Sequence, residues 1–275
     1  MTKLALLTGA SGFVGAQVVK NLLGRGIKLC LVVREGSESK LPDSPYIEKI
    51  ISTKDLFSES IEWWSSAFEG VELVIHCAWY AEPKKYLESP INISCLEGSL
   101  KIALAASKSL VNKFVGIGTC FEYDTSFGYL SANTPLLPKN MYAASKVASF
   151  LLMSQIFSQS QTEFLWCRLF YLYGEGEDDR KLAAYVKKQL AFDLPVLLTD
   201  GLQTRDYLDV YEAATQIVDS ALSSAKGPIN ICSGIPITIR DFVRKLAQNE
   251  SKLDLLKFGA LQKGLNEPDF IVGIK

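Results

Sequence analysis

A glycine-spaced segment close to the N-terminus constrains the fold of this chain more than any other feature. Glycines stand at positions 9, 12 and 15, directly after a short apolar run at residues 4–7. Apolar side chains then recur four residues apart, at Val14, Val18 and Leu22, and this pattern predicts a helix that stops at Gly24. A strand, a glycine turn and a helix in this order predict the first unit of a doubly wound α/β fold with a parallel sheet.

The three glycines have separate roles in such a turn. They allow a tight bend, a close approach of the backbone to a pyrophosphate and close packing of the helix on the strand, while the helix N-terminus supplies N–H donors for the anion. The alternative is a bare structural turn, but the position between the first strand and the first helix favours a binding site. We therefore predict a Rossmann fold whose dinucleotide contacts include Gly9, Ser11, Gly12, Phe13, Val14 and Gly15.

The residue at the end of the second predicted strand, at 29–33, decides which dinucleotide fits, because it lies beside the adenosine ribose. Here that residue is Arg34, and a guanidinium suits a 2′-phosphate, so NADP(H) is favoured. In the alternative, Arg34 is only a solvated loop residue, Glu35 serves the ribose, and NAD(H) binds instead.

Two further segments are predicted to contact the dinucleotide. Asp55 and Leu56 follow a third predicted strand and are expected to border the adenine, and Ala78 ends a buried fourth strand. The fourth strand also carries His76, the only histidine of the chain. A single histidine at the end of a core strand is more often packed or hydrogen-bonded than catalytic, so we predict a structural role for it.

Tyr142 and Lys146 lie four residues apart on a predicted helix. Residues i and i+4 share a helix face, so the ammonium can stabilise the tyrosinate and lower the pKa of Tyr142 from its usual value of about 10. Taken alone, such a pair is more often packing plus a solvated charge. A fifth predicted strand delivers Thr119 to the carboxyl edge of the sheet, where ligands bind in open parallel sheets. Together the three residues indicate a site for proton transfer.

The composition argues against several other functions. The chain has 275 residues, 29 of them basic and 30 acidic, and its net charge of −1 gives no general attraction to nucleic acid or to an anionic membrane. No apolar run approaches the ~20 residues of a membrane span, and no signal-peptide pattern precedes the first strand. Six scattered cysteines indicate reduced core residues, so we expect a cytoplasmic protein without a metal site.

The glycine pattern, Thr119, and Tyr142 with Lys146, in this order, resemble the short-chain dehydrogenase/reductase superfamily. More narrowly, the chain is similar over nearly its whole length to the extended branch of that superfamily, which acts on nucleotide sugars. The segments that carry this closer resemblance are an asparagine-led helix start at 92–100, a proline-bearing segment at 134–138, a strand ending at 168–174, a glycine to arginine-aspartate segment at 201–210, and a glycine-proline segment at 227–234.

The resemblance implies a role for each matching residue. Tyr142 would exchange a proton with the sugar oxygen while a hydride moves between the carbon that bears this oxygen and the nicotinamide. Lys146 would bind the hydroxyls of the nicotinamide ribose, and Thr119 would hydrogen-bond the reacting carbonyl. Arg205 would contact the nucleotide diphosphate, and Arg180 is a second candidate for that contact.

Two departures from the family pattern bear on the reaction. The 4,6-dehydratases of the branch have an Asp-Glu pair directly after the threonine, whereas this chain has Cys120 and Phe121, so we do not expect a dehydratase. The strand ending normally contains an asparagine where this chain has Tyr171, which implies a changed substrate contact at that position.

We expect a dinucleotide-binding domain at 1–170, to which 211–233 returns, and a small, mainly substrate-binding region at 171–275. The predicted function is an NAD(P)-dependent oxidoreductase that reduces the 4-keto group of a nucleotide-linked 4-keto-6-deoxyhexose. The alternatives are a nucleotide-sugar 4-epimerase that retains NAD, and a redox sensor that binds NADP without catalysing a reaction. The resemblance also implies a homodimer.

Overall fold

The fold is taken from a computed structural model that describes residues 4–249, 251–262, 264 and 267–275. Its helices are α1 (Phe13–Gly24), α2 (Ile61–Ala67), α3 (Ile91–Lys108), α4 (Met141–Ser158), α5 (Leu182–Ala191), α6 (Val210–Leu222) and α7 (Ile239–Asn249). Its strands are β1 (Leu4–Thr8), β2 (Lys28–Arg34), β3 (Ile47–Thr53), β4 (Leu73–His76), β5 (Lys113–Thr119), β6 (Tyr129–Leu130), β7 (Glu163–Leu169), β8 (Tyr171–Tyr173), β9 (Val196–Leu197), β10 (Thr204–Asp209), β11 (Gly227–Ile231), β12 (Pro236–Thr238), β13 (Leu256–Lys257) and β14 (Phe270–Gly273).

The larger sheet has seven strands in the order β11-β7-β5-β4-β1-β2-β3. Every neighbouring pair in it is parallel. The chain runs from β1 through β2 to β3 at one edge and then crosses to β4 on the other side of β1, so the strand order reverses between β1 and β4. Ligands of such sheets bind outside the carboxyl ends of the strands at this reversal. The predicted doubly wound parallel fold is confirmed.

Helices cover both faces of the larger sheet. On one face α1 and α6 pack together and contribute Val18 and Ile217 to the core, and on the other face α2, α3 and α4 contribute residues such as Trp64 and Met153. A strand covered on both faces is apolar along its whole length, and the five inner residues of β2 are accordingly all buried. Within the described part of the chain, no helix combines the length and the apolar character that a membrane crossing needs.

A five-stranded sheet is built from β6 and from strands of the second half of the chain. The strands β12, β10, β14 and β6 are neighbours in this order, and β8 pairs with β10. The pair β10 and β12 is antiparallel, whereas β14 is parallel to both β10 and β6. Through α6 and β11 the chain returns to the larger sheet, where β11 pairs with β7. The two parts therefore interleave, and the boundary placed near residue 170 stays a prediction.

Candidate active site

The glycine turn after β1 places the start of α1 at the carboxyl edge of the larger sheet. Gly9 has φ +73°, a backbone conformation that is unfavourable for residues with a Cβ. A Cβ at this position would also lie 2.8 Å from the Ala78 amide nitrogen. A Cβ on Gly15 would lie 2.0 Å from the Gly9 carbonyl oxygen, so α1 can approach the turn only without one. The first turn of α1 contains no acidic residue. Bare backbone leading into a helix N-terminus fits the pyrophosphate of a dinucleotide.

A cavity of about 580 Å³ lies at this edge of the sheet. The predicted site residues that line it are Gly9, Gly12, Phe13, Val14, Gly15, Thr119, Tyr142, Lys146, Tyr171 and Arg205. The structure therefore brings the glycine turn, the three predicted catalytic residues and one predicted arginine to one space. The remaining predicted site residues lie outside the lining; they are Ser11, Arg34, Asp55, Leu56, Ala78 and Arg180.

Tyr142 and Thr119 both line this cavity. Helix α4 begins directly after Asn140, whose side chain caps it by accepting a backbone N–H at 2.9 Å, and this start places Tyr142 in the first turn. Thr119 ends β5, so it reaches the cavity from the larger sheet. Burial raises the pKa of Tyr142 above its usual value, and the neighbours Tyr86 and Glu122 act in the same direction.

Lys146 lies one helical turn further along α4 and is almost fully buried. Its Nζ donates a hydrogen bond to the Ile117 carbonyl oxygen at 2.7 Å and lies 3.6 Å from the centre of the Trp79 ring. Burial lowers the pKa of Lys146 to about 7. The structure corrects one expectation here: the pKa of Tyr142 is raised and not lowered, because burial acts on both side chains and opposes the charged form of each.

His76 is enclosed by hydrogen bonds behind the cavity. Its Nδ1 lies 2.8 Å from the Thr8 hydroxyl, and its Nε2 lies 2.8 Å from the Ser99 hydroxyl. Burial lowers the pKa of His76 to about 3, so the ring is neutral near pH 7. Because Thr8 and Ser99 belong to β1 and α3, these bonds join the strand of His76 to its neighbours, as a structural residue does.

Arg205 reaches the cavity from β10 and is 1% exposed. Its Nη1 donates to the Thr204 carbonyl oxygen at 2.9 Å, and its Nη2 lies 2.9 Å from a Glu267 carboxylate oxygen. The guanidinium carbon lies 5.3 Å from the centre of the Tyr171 ring, and burial raises the pKa of Tyr171 well above its usual value. At the position where an amide was expected from the resemblance, this site therefore has a neutral aromatic ring beside a buried cation.

Arg180 does not reach the cavity. Its Nε and Nη2 each donate to one oxygen of the Asp178 carboxylate at 2.8 Å, and its Nη1 lies 3.7 Å from Glu82. The guanidinium holds the pKa of Asp178 well below its usual range, and Asp178, not Arg180, is the residue of this pair that lines the cavity. This arrangement does not support the predicted contact between Arg180 and a diphosphate.

The predicted adenosine contacts lie further along the same edge of the sheet, at β2 and β3. Arg34 is the exposed last residue of β2, and its carbonyl oxygen accepts a hydrogen bond from the Ser37 amide at 2.9 Å. Asp55 follows β3, and its carboxylate accepts hydrogen bonds from the Phe57 amide at 3.1 Å and the Ser58 hydroxyl at 2.6 Å. Asp55 thus stabilises its own loop, and the cofactor contacts of this region stay predictions.

The residues that were not predicted include Trp79, which lines the cavity, and Glu122, which is hydrogen-bonded to Thr119. Trp79 follows β4, contacts the Lys146 ammonium with its ring face, and donates from its Nε1 to the Asn92 side chain at 2.8 Å. Glu122 follows β5, and its carboxylate accepts a hydrogen bond from the Thr119 amide at 2.8 Å. The spacing of Thr119 and Glu122 is that of a capping box, which the sequence does display. For Trp79 the only signal was its position directly after a buried strand.

Cys120 and Phe121 line the cavity beside Thr119. Burial raises the pKa of the Cys120 thiol to about 12, so it does not exchange protons readily near neutral pH. The ring of Phe121 packs edge-on against Tyr171 with 6.0 Å between the ring centres. The two positions after the threonine therefore contribute an inert thiol and an apolar wall.

The model of the NAD dependent epimerase/dehydratase family matches residues 5–232. A dTDP-6-deoxy-L-talose 4-dehydrogenase (NAD(+)) of Aggregatibacter actinomycetemcomitans is 27% identical to the chain, over 90% of the chain and 91% of that relative. A CDP-abequose synthase of Salmonella muenchen is 20% identical, over 95% of the chain and 85% of that relative.

Solved structures share the fold. The structure of UDP-N-acetylglucosamine 4-epimerase from Methanobrevibacter ruminantium, in complex with UDP-N-acetylmuramic acid, matches 99% of this chain and 89% of its own with a TM-score of 0.86 and 21% identity. The structure of UDP-glucose 4-epimerase from Thermus thermophilus, in complex with NAD, matches 98% of this chain and 90% of its own with a TM-score of 0.82 and 22% identity.

Proposed function

Because this chain belongs to the NAD dependent epimerase/dehydratase family, we propose that it is an NAD(P)-dependent oxidoreductase that reduces the 4-keto group of a nucleotide-linked 4-keto-6-deoxyhexose. The observation that carries this proposal is the convergence of Thr119, Tyr142 and Lys146 on one cavity with the glycine turn. A bound nicotinamide dinucleotide would supply the hydride.

In this proposal the side chains of the site transfer the proton and align the sugar. Tyr142 donates its hydroxyl proton to the oxygen at C4, and its raised pKa means that the phenol carries this proton when the substrate binds. Thr119 donates a hydrogen bond to the same oxygen. Lys146 binds the ribose hydroxyls of the cofactor with its Nζ.

We propose that Arg205 binds the diphosphate of the substrate. A guanidinium can donate two parallel hydrogen bonds to phosphate oxygens, and burial strengthens such charge-assisted bonds. Arg205 is 1% exposed and lines the same cavity as Tyr142, so a nucleotide sugar held there by its diphosphate has its sugar within the cavity. The neutral rings of Tyr171 and Phe121 form the apolar wall beside it.

The two residues that follow Thr119 favour reduction of the sugar over elimination of water from it. Elimination needs acid and base groups beside the sugar, whereas Cys120 holds its proton and Phe121 has none to exchange. The second candidate is a 4-epimerase, which is favoured by the two epimerase structures that share the fold. An epimerase must first remove the hydroxyl proton of the sugar, and the raised pKa of Tyr142 opposes that step.

We propose NADP(H) as the favoured cofactor. Arg34 is exposed at the end of β2, where a guanidinium can contact a 2′-phosphate. NAD(H) is the competing cofactor, because the relative from Aggregatibacter actinomycetemcomitans is named for NAD(+).

If Arg34 binds the 2′-phosphate, Arg34→Ala should weaken NADPH binding roughly tenfold, the loss expected for one charge-assisted hydrogen bond, and leave NADH binding unchanged within about twofold. Dissociation constants from the fluorescence of the bound nicotinamide check this. Lys40→Ala, a second exposed cation nearby, is the matched control. An equal loss for both dinucleotides, or tighter NADH binding by the unaltered protein, would assign the site to NAD(H).

The test of the reaction is an assay of NADPH and NADH oxidation against a panel of nucleotide-linked 4-keto-6-deoxy sugars, with product analysis of each sample. Stoichiometric loss of the reduced cofactor with one sugar supports the reductase. Conversion of a nucleotide sugar to its 4-epimer without net cofactor consumption supports the epimerase. Binding of NADPH without any conversion supports the redox sensor, although a binding protein has no need of the full set Thr119, Tyr142 and Lys146.

Tyr142→Phe removes the proposed proton donor and little else. We expect kcat to fall by about 100- to 10,000-fold while the dissociation constant of the dinucleotide is unchanged. Tyr129→Phe, which removes a hydroxyl from a residue that is 53% exposed on β6, is the control and should be as active as the unaltered protein. Retention of kcat in Tyr142→Phe would remove this phenol from the mechanism.

We further propose a homodimer formed through α3 and α4, and a cytoplasmic location. The two helices pack on each other and together still expose Ile91, Ile93, Leu151 and Leu152, with between 45% and 51% of each residue accessible. A second copy of the chain would cover these side chains.

The proposed cytoplasmic location is supported by the cysteines. All six are free, as is expected in a reducing compartment.

A further inference from the structure

We propose that Glu122 is a positioning residue of this site: its buried carboxylate, held by Arg168 and Trp166, fixes Thr119 so that the threonine hydroxyl donates toward the reacting oxygen. The role given to Thr119 rests on the proposed function, whereas the contacts that hold it do not.

The Glu122 carboxylate is surrounded by N–H donors. One oxygen accepts from the Thr119 amide at 2.8 Å, the other accepts from Arg168 Nε at 2.6 Å, and Trp166 Nε1 lies 3.1 Å from both. Glu122 is fully buried and Arg168 is 1% exposed. Burial raises the pKa of Glu122, and these donors oppose the shift by stabilising the ionised form.

The backbone of β5 makes room for this arrangement. A Cβ on Gly116 would lie 2.5 Å from the Trp166 ring, and a Cβ on Gly118 would lie 2.3 Å from both a Glu122 carboxylate oxygen and Trp166 Nε1. Alternate residues of a strand share a face, so the two glycines clear one face of β5 for the indole and the carboxylate. The Trp166 ring and the Glu122 carboxylate thus depend on two glycines of β5 for their space, and the carboxylate is bonded directly to the Thr119 amide.

The hydrogen bonds around Thr119 determine whether its hydroxyl is free to donate a hydrogen bond. Its Oγ accepts a hydrogen bond from the Phe121 amide at 3.3 Å, while the Thr119 amide is bound by Glu122. A hydroxyl that already accepts a backbone N–H keeps its own proton for another partner. Thr119 and Tyr142 line the same cavity, which is where that partner would lie. Glu122 therefore keeps Thr119 in place as a donor at the point where the reacting oxygen would lie.

A glutamine cannot replace Glu122 while Arg168 is present. The donors meet both oxygens, so either orientation of an amide turns its NH2 group toward an N–H of Thr119 or of Arg168. If Arg168 is also changed to glutamine, the first amide can accept from Thr119 and donate to the second. If both are changed to methionine, the space is filled but the Thr119 amide has no acceptor.

Two double variants therefore separate positioning from the loss of the ion pair. Glu122→Gln/Arg168→Gln and Glu122→Met/Arg168→Met both remove the charges, and apolar or neutral replacements of a buried pair commonly fold. We expect the first to keep kcat within about threefold of the unaltered enzyme and the second to lose roughly 10- to 100-fold, with KM within about threefold in both. The second variant removes the acceptor of the Thr119 amide and also that of Trp166 Nε1. Thermal unfolding of both variants shows whether the comparison is made at similar stability.

A second readout does not depend on turnover. In protein labelled with 15N-threonine, the Thr119 amide of the unaltered protein and of the double glutamine variant should exchange slowly with solvent, and that of the double methionine variant should exchange at least tenfold faster. Equal kcat values or equal amide exchange in the two double variants would overturn the positioning role. If the unaltered protein converts no sugar of the panel, the proposed function fails, and the amide measurement still decides whether Glu122 holds Thr119.

Discussion

Lys146 lies in the cavity with 4% of its surface exposed, and burial lowers its pKa to about 7. In the proposed reaction it acts as a cation, so its contribution is present below this pKa and is lost as the pH rises through it. Because kcat/KM reports the free enzyme, we expect it to fall about tenfold per pH unit above pH ~7. Initial rates at low substrate concentration between about pH 5.5 and 9 measure this fall, which is the alkaline limb of the pH profile.

Glu177 provides the control for that profile, because it also lines the cavity and burial raises its pKa to about 7. Glu177→Gln keeps the shape of the side chain but cannot ionise. If Lys146 causes the alkaline limb, the limb persists in Glu177→Gln and disappears in Lys146→Arg, whose guanidinium stays charged. Loss of the limb in Glu177→Gln would assign it to the carboxyl group. His76 does not contribute, since its pKa is about 3.

The sequence identifies residues of the site when a short motif carries the chemistry. Thr119, Tyr142 and Lys146 could be predicted to meet because a strand end and a helix start bring them to the same edge of the sheet. The pKa values could not be predicted, since they depend on how deeply the two helix residues are buried. Arg180 lies outside the cavity lining, and its guanidinium is paired with the Asp178 carboxylate two residues away, which the sequence pattern did not indicate.

At the scale of elements, β5 contains two glycines that leave space for the Trp166 ring and the Glu122 carboxylate. Gly118→Ala would bring a methyl group to 2.3 Å from Glu122 and Trp166, so we expect a loss of about 1–3 kcal/mol in the free energy of unfolding. Urea denaturation measures it. Gly24→Ala is the matched control: a Cβ there meets nothing within 4 Å at the last residue of α1, and the change should not destabilise the protein. If Gly118→Ala leaves the free energy of unfolding unchanged, Glu122 and Trp166 can shift to make room for the methyl group.

Several elements of the larger sheet could be predicted because they show apolar runs or recognisable helix ends. The strands β1, β2, β4 and β5 are apolar runs, and α1 and α4 are framed by glycine or a capping residue. The smaller sheet was not predicted. Its strands β6, β8, β12 and β14 have two to four residues each, which is too short for alternation to be recognised, and their partners lie far away in sequence.

At the scale of the whole molecule, the proposed dimer depends on apolar side chains that one copy leaves exposed on α4. Leu151→Glu would place a charge at the centre of the proposed interface, so we expect the protein to become a monomer. Light scattering after size-exclusion chromatography measures the mass. Leu110→Glu is the control, because Leu110 is 94% exposed in the turn after α3 and its change should leave the mass unaltered. A dimer that persists in Leu151→Glu would place the interface elsewhere.

The position of β14 has a consequence for the order of events during synthesis. It lies between β10 and β6 in the five-stranded sheet, although it follows both in sequence. The ribosome completes β11, the last strand of the larger sheet, while β14 has yet to be made. The glycine turn and all strands of the larger sheet are therefore made before the smaller sheet, which carries Arg205 on β10, has its strand β14. Translation itself thus separates the assembly of the two halves of the cavity in time.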